Sequence, residues 1–262
     1  MPDHRSVLIT GASSGIGRAL ALALAAPGAT LHLGGRDGAR LEATADACRA
    51  RGAAVRPARV DVCDADGMAA WIAGAGRLDL VIANAGISAG SFAGRETAAQ
   101  ARAIFAVNLD GMLNTALPAL AALRAQPPGA DGVRGRLAVI ASIAALIPAP
   151  AAPSYAASKA AADAWTVATA PLARRDGVLL SSICPGFIRT PMTDGNRFPM
   201  PGLMDAERAA RIILRGIAAG RVRVAFPWWM AAGARATALL PAGITGRMLS
   251  RGPRKRGLPA DG

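Results

Sequence analysis

The chain has 262 residues, a single tyrosine and two lysines, and one of those lysines follows the tyrosine by four positions in Tyr155-Ala-Ala-Ser-Lys159. On a helix, positions i and i+4 share a face, so phenol and ammonium stand side by side. An ordinary phenol titrates at about pH 10, too high for ready proton exchange near neutrality. A neighbouring cation favours the phenolate and lowers that value. The spacing therefore predicts a proton-transfer pair, with a surface Tyr and Lys on a solvated helix as the plain alternative. Apart from Lys159 and Lys255, the 30 basic residues are all arginines. The rigid guanidinium fork is a poor substitute for a compact ammonium.

A second chemical feature lies near the N-terminus, in Val7-Leu-Ile-Thr-Gly-Ala-Ser-Ser-Gly-Ile-Gly-Arg18. Gly11, Gly15 and Gly17 remove side chains where backbone must turn and approach a ligand. Ser13, Ser14 and Ile16 fill the same turn, and the helix that follows points free N–H groups at an anion such as a pyrophosphate. The strand before and the helix after supply the context such a glycine pattern needs. Its spacing, TGxxxGxG, differs from the GxGxxG dinucleotide fingerprint.

These groups need a scaffold, and the pattern provides one. Strands are expected at Ser6 to Thr10, Thr30 to Gly34, Ala54 to Asp61, Leu78 to Asn84, Arg136 to Ser142, Val178 to Cys184 and Arg221 to Ala225. Helices are expected at Gly15 to Ala26, Asp37 to Arg51, Ala65 to Ala75, Thr97 to Leu123, Pro153 to Arg175 and Asp205 to Ala219. Most strands lack polar alternation, which suits burial on both faces. Strict alternation of strand and helix implies right-handed crossovers and a single-domain, Rossmann-type α/β fold: a doubly wound parallel sheet of about seven strands with helices on both faces. Gln126 to Gly135 reads as a loop, residues 1–250 as one catalytic domain with a substrate or lid region at about 187–250, and residues 251–262 as a basic flexible tail. With 52% hydrophobic but only 4% aromatic residues, Ala, Leu, Val and Ile must fill the core.

Taken together, the motifs between about Val7 and Ala225 resemble the short-chain dehydrogenase/reductase family. The resemblance implies hydride exchange with a nicotinamide cofactor and gives Lys159 a second task, hydrogen bonding to the nicotinamide ribose. Asp61-Val62 matches the family's adenine-contacting pair, and Asn84-Ala85-Gly86 matches its NAG motif; Ala83 stands where Asn is common. Ser142, at the expected end of the fifth strand, matches the serine that holds the substrate oxygen, although Ala141 departs from the usual Ser-Ser pair. Asn108 matches the residue that binds a relay water behind the lysine. Pro185-Gly186 matches the PG motif, with Ile188 and Thr190 near the nicotinamide carboxamide.

An acid after the second strand would hold the ribose 2′-hydroxyl of NAD, whereas a base favours the 2′-phosphate of NADP. Here Gly35 takes the acid's position and Arg36 follows, which favours NADP(H). Asp37 is expected either to cap the next helix or to reach the ribose, which keeps NAD(H) open.

Substrate identity is less legible. Met192, Phe198, Met200, Leu203 and Met204 fit either a lid over a lipophilic substrate or simple packing. Residues 205–262 hold eleven basic and three acidic side chains, interleaved with Pro227-Trp-Trp-Met230 and Ala238-Leu-Leu240. This end suits peripheral contact with anionic membrane, guidance of an anionic acyl carrier, or an oligomer interface. Arg235, Pro241 and Gly243 interrupt any spanning helix. Nucleic acid is not expected as a partner, since no reading motif accompanies the charge. His4 and His32 lie apart from Cys48, Cys63 and Cys184, so no metal site is expected. The N-terminus runs into a strand without a signal-like segment, so a cytoplasmic, possibly membrane-peripheral enzyme is expected. A homodimer or homotetramer is what the resemblance implies. The readings left open are an NADP-dependent reductase of ketones or oxidant of secondary alcohols, a 3-oxoacyl-carrier-protein reductase, and a catalytically silent NADP-sensing protein.

Overall fold

The computed structural model describes residues 5–90, 95–196 and 198–250. Strands β1 (Ser6–Thr10), β2 (Thr30–Gly35), β3 (Ala54–Arg59), β4 (Leu80–Ala83), β5 (Gly135–Ile140), β6 (Val178–Pro185) and β9 (Arg223–Phe226) form one sheet. Their order is β3-β2-β1-β4-β5-β6-β9, and every pairing is parallel. The expected seven-stranded doubly wound sheet is present. The order reverses between β1 and β4, the switch point where ligands bind in open α/β sheets.

Helices cover both faces: α1 (Gly15–Leu24), α2 (Gly38–Arg49) and α8 (Ala206–Ala218) with one core layer, α3 (Ala65–Gly74), α5 (Gly111–Ala125) and α6 (Pro153–Arg175) with the other. The first layer buries Val7, Ile9, Leu31 and Ile213; the second buries Leu8, Val81, Leu137 and Leu180. Alternate residues of one strand thus serve opposite faces, as the pleat requires.

Several boundaries differ from the sequence expectation. Helix α1 stops at Leu24 and not Ala26, because Ala25 turns extended ahead of Pro27. The expected helix Thr97 to Leu123 is three pieces: α4 (Ala98–Phe105), a π-helical turn (Ala106–Asp110) and α5. The run is apolar on most of its faces, so the phase jump that a π turn introduces does not show in the pattern. The whole run, Ala98–Ala125, is long and apolar enough to cross a membrane. In the fold its apolar side is core, with Met112, Ala116, Ala119, Leu120 and Leu123 buried.

The sequence reading also missed a 3₁₀ turn (Ile143–Leu146), the short pair β7 (Ile188–Arg189) and β8 (Met204–Asp205), and helices α7 (Pro191–Asp194), α9 (Trp228–Ala238) and α10 (Ala242–Ser250). The basic tail at 251–262 lies outside the described residues.

Candidate active site

The carboxyl ends of β1 and β4 meet at the switch point, and Asn84 joins them. Its Nδ2 donates to the carbonyls of Thr10 (2.9 Å) and Gly11 (3.1 Å), and its main-chain N–H donates to Thr10 Oγ1 (3.0 Å). Gly11 sits at φ +66°, where a side chain is strained, and a Cβ on it would lie 2.9 Å from Ala85 Cα. A Cβ on Gly17 would lie 2.3 Å from the Gly11 carbonyl oxygen. The glycines thus let α1 start directly against the turn. Ser14 precedes α1 without a side-chain capping bond, and no acid stands in the first turn. The helix therefore presents uncapped donors and its positive end to the crevice. These features fit a dinucleotide pyrophosphate.

The crevice has a volume of about 1160 Å³. Gly11, Ser13, Ser14, Gly15, Ile16, Arg36, Asp61, Val62, Asn84, Ala85, Gly86, Ser142, Tyr155, Lys159, Pro185, Gly186, Ile188 and Thr190 all line it. Two expected site residues do not: Gly17 stands behind the turn, and Asn108 is buried beneath the floor.

At the adenosine end, β2 closes on Gly35 and Arg36 faces the crevice with no hydrogen bond or ion pair among the described residues. Asp37 also lines the crevice, where it is engaged by Arg40. It caps α2 by accepting from the Arg40 N–H (3.0 Å) and pairs with Arg40 Nε (2.6 Å).

At the other end, Tyr155 and Lys159 lie one turn apart on α6. The Ser142 hydroxyl stands beside the Tyr155 phenol at the crevice and accepts from the Ala144 N–H (3.1 Å). Lys159 Nζ donates to the Ile140 carbonyl (2.7 Å). A Cβ on Gly86 would lie 3.1 Å from Asn108 Oδ1 and 3.3 Å from Lys159 Nζ, so Gly86 leaves the room that the ammonium occupies.

One expectation requires correction here. Lys159 was expected to lower the phenol pKa. Instead, burial raises it, with the Ser142 hydrogen bond acting in the opposite direction. Burial also pushes Lys159 down to about 8. Both shifts share one cause, since a dense apolar surround disfavours phenolate and ammonium alike. Asn108, the residue that the resemblance assigns to a relay water, has its side chain engaged by protein groups. Its Nδ2 donates to the Ile87 carbonyl (2.9 Å) and Ser158 Oγ (3.1 Å), and its Oδ1 accepts from the Ile87 N–H (2.8 Å). Both amide donors are therefore used, and the side chain clamps the segment after β4 to the π turn.

Two braces went unseen in the sequence. Glu96 Oε2 accepts from the N–H (3.2 Å) and hydroxyl of Ser154, next to Tyr155 at the start of α6. One turn beyond Lys159, buried Asp163 accepts from Ser182 Oγ (2.6 Å), Arg223 Nε (2.9 Å) and Arg223 Nη2 (2.6 Å). Burial alone would raise the Asp163 carboxyl; donation from Arg223 and Ser182 holds it below the usual range. This tie joins α6 to β6 and β9. An acid four residues after the lysine, in an Ala-rich stretch, was the available signal. Its partner lies 60 residues away.

The substrate side is apolar. Ile143, Ile147, Met192, Phe198, Met230 and Leu249 line it, and Phe187 packs edge-on against Phe198 at 6.0 Å. Met192 and Phe198 were expected here, but Ile147 and Leu249 were not. Met200 and Leu203 are not among the crevice-lining residues, and Met204 is buried core in β8.

A family model described as short chain dehydrogenase matches residues 5–199. A Myxococcus xanthus protein named as an uncharacterized oxidoreductase is 36% identical over 243 residues, which cover 91% of this chain and 94% of that protein. Among solved structures, a short-chain dehydrogenase/reductase from Burkholderia phymatum in complex with NAD matches with a TM-score of 0.79 and 25% identity, covering 97% of each chain. A 3-ketoacyl-ACP reductase from Sinorhizobium meliloti matches with a TM-score of 0.71 and 28% identity, covering 84% of this chain and 95% of the other.

Proposed function

The chain belongs to the short-chain dehydrogenase/reductase family and is an NAD(P)-dependent oxidoreductase, and we propose that it interconverts a lipophilic ketone and secondary alcohol with Tyr155 as the proton-transfer residue. The observation that carries this reading is that Ser142, Tyr155 and Lys159 line one crevice together, with Lys159 one turn below Tyr155 on α6. The bound nicotinamide supplies or accepts the hydride. Ser142 and Tyr155 hold the carbonyl oxygen by hydrogen bonds. The raised phenol pKa keeps Tyr155 protonated at neutrality, as a donor to the developing alkoxide must be. Lys159 stabilises the phenolate that remains and donates to the ribose. Water behind Lys159 resupplies the proton; the Asn108 side chain contributes by fixing the segment that flanks this path.

NADP(H) is the favoured cofactor. Arg36 is free to meet a 2′-phosphate, and Asp37 is held by Arg40. The NAD complex of the Burkholderia relative keeps NAD(H) as the competing choice. Reduction of 3-oxoacyl groups on a carrier protein is the second reading, favoured by the Sinorhizobium relative and the cationic C-terminal region. The Ser142, Tyr155 and Lys159 cluster argues against a silent NADP sensor. Residues 187–250 act as the substrate and lid region. Exposed Leu117 on α5 and Leu172 on α6 support a homodimer or homotetramer through that face.

Turnover of a panel of ketones with NADPH tests the reading. Tyr155→Phe should lower kcat by roughly 10²–10⁴-fold while NADPH still binds; near-normal turnover rejects the mechanism. A higher kcat/KM with NADH than with NADPH overturns the cofactor preference.

A further inference from the structure

Large exposed apolar side chains concentrate at one end of the molecule. Trp228 is 77% exposed and Leu239 88%, joined by Trp229, Leu240, Ile244 and Met248. All six belong to α9, α10 and the turn between them. On α9, Trp228, Ala232, Arg235 and Leu239 share the outer face at helical spacing. The inner face buries Ala231 and Ala234 against Ile143. On α10, Ile244, Arg247 and Met248 point outward together, and buried Thr245 ties α10 to α9 by donating to the Thr237 (3.3 Å) and Leu240 (3.2 Å) carbonyls.

The charge of this end is one-sided. From Trp228 to Ala260 the sequence holds six cations and no carboxylate, and two of the six, Arg235 and Arg247, lie on α9 and α10. Arg235 and Arg247 are exposed within the apolar face itself. Met230 of α9 and Leu249 of α10 also line the substrate side of the crevice, so the two helices form part of its wall.

We infer that α9 and α10 dock on the surface of an anionic lipid bilayer, lying in its interface and placing the mouth of the crevice against the membrane. Exposed Trp, Leu, Ile and Met suit the headgroup–acyl boundary, and interspersed arginines suit anionic headgroups. A second copy of the chain is a poorer occupant, because a two-fold contact through this face would bring its arginines together with no carboxylate on the described residues of α9 and α10 to pair them. An acidic protein would satisfy the charge but leave the aliphatic tips without a matching oily phase. The part of the inference concerning substrate, that lipophilic ketones enter from the bilayer, rests on the proposed reductase activity; the docking does not.

The full-length protein is sedimented with vesicles of phosphatidylcholine alone or mixed with phosphatidylglycerol. Retention on the mixed vesicles only, and release by molar salt, where screening acts within about 3 Å, are expected. Arg235→Glu with Arg247→Glu should weaken binding roughly tenfold or more. Leu239→Asp with Ile244→Asp should abolish it, while NADPH affinity and turnover of a water-soluble ketone stay at the parent level, showing that the fold is intact. The mixed vesicles should also accelerate turnover of a lipophilic ketone but not of the soluble one. No retention on either vesicle, equal retention on both, or retention by the Asp double variant overturns the inference. Self-association abolished by the Asp pair without vesicle binding assigns the face to a second copy, and preferential capture of acidic acyl carrier protein assigns it to that partner; both overturn it. Vesicle binding without turnover of any ketone leaves the docking standing and removes the reductase reading.

Discussion

Along one wall of the crevice, Gly11 and Gly15 bring main chain against Asn84, Ala85 and Thr190, with Gly17 packed directly behind the turn. Along the other, Ile143, Ile147, Phe198, Met230 and Leu249 present side chains from a 3₁₀ turn, loops and the last two helices. At its glycines the first wall tolerates no other residue type, because main chain and the Asn84 amide fill the Cβ space at Gly11 and Gly17, and Gly15 sits at φ +54°. The second accepts any apolar side chain of about the right volume. The contrast separates a ligand held by backbone geometry from one sorted by adaptable apolar contact.

The sharpest way to break the contrast is Gly17→Ala. The new methyl would lie 2.3 Å from the Gly11 carbonyl oxygen and 2.5 Å from Asn84 Nδ2. Neither group can yield without moving the turn or its strap. An overpacking cost of about 3 kcal/mol corresponds, for a chain of this size, to a fall in Tm of roughly 10 °C. Cofactor affinity should be lost with it. Parent-like melting and NADPH binding would show that the cradle wall is as forgiving as its neighbour.

That asymmetry also explains what the sequence made legible. The glycine turn and the Tyr155–Lys159 pair stand out because sterics and composition leave few alternatives. The inner strands stand out because burial on both faces makes their runs nearly continuously apolar, unlike the edge strands β3 and β9. The π turn at Ala106–Asp110 is hidden because the run around it is apolar on most faces, so a jump in phase leaves no mark. The Asp163–Arg223 tie and the Glu96–Ser154 cap join distant segments that a linear reading has no means to pair. Helices α9 and α10 hide in a run broken by Pro227, Pro241 and Gly243, where apolar residues face outward and periodicity misleads. The direction of the Tyr155 pKa shift was misjudged because counting neighbouring charges omits desolvation, which acts on the charge of the phenolate as strongly as a cation can.

Between the two walls, pH offers a finer probe. Burial lowers Lys159 from 10.5 to about 8. The ammonium is therefore intact below about pH 8 and is lost as pH rises through that value. With its folded pKa below the unfolded one, the fold carries the full cost of the buried charge below pH 8 and gains stability between about 8 and 10.5. Activity should move the other way. The pH profile of kcat/KM for NADPH, which reports the free enzyme, is expected to fall by about tenfold per pH unit above 8. Lys159→Arg keeps its charge and should flatten that limb at a lower overall rate. A parent profile that stays level to pH 10 would detach Lys159 from cofactor capture.

The smallest effect belongs to the apolar wall. Met230 lies against Gly186 and faces the crevice from α9, where its flexible thioether adapts to its neighbours. Met230→Ala removes contact with a bulky substrate but leaves the cradle, Tyr155 and Lys159 untouched. Loss of about 1 kcal/mol of uniform binding raises KM roughly fivefold for a lipophilic ketone, with kcat preserved. KM for a small ketone and Kd for NADPH should hold at the parent values. A fall in kcat shared by both ketones would mean that α9 positions the reacting groups, and the division between a backbone-built wall and an adaptable one would then fail at the residue that best represents it.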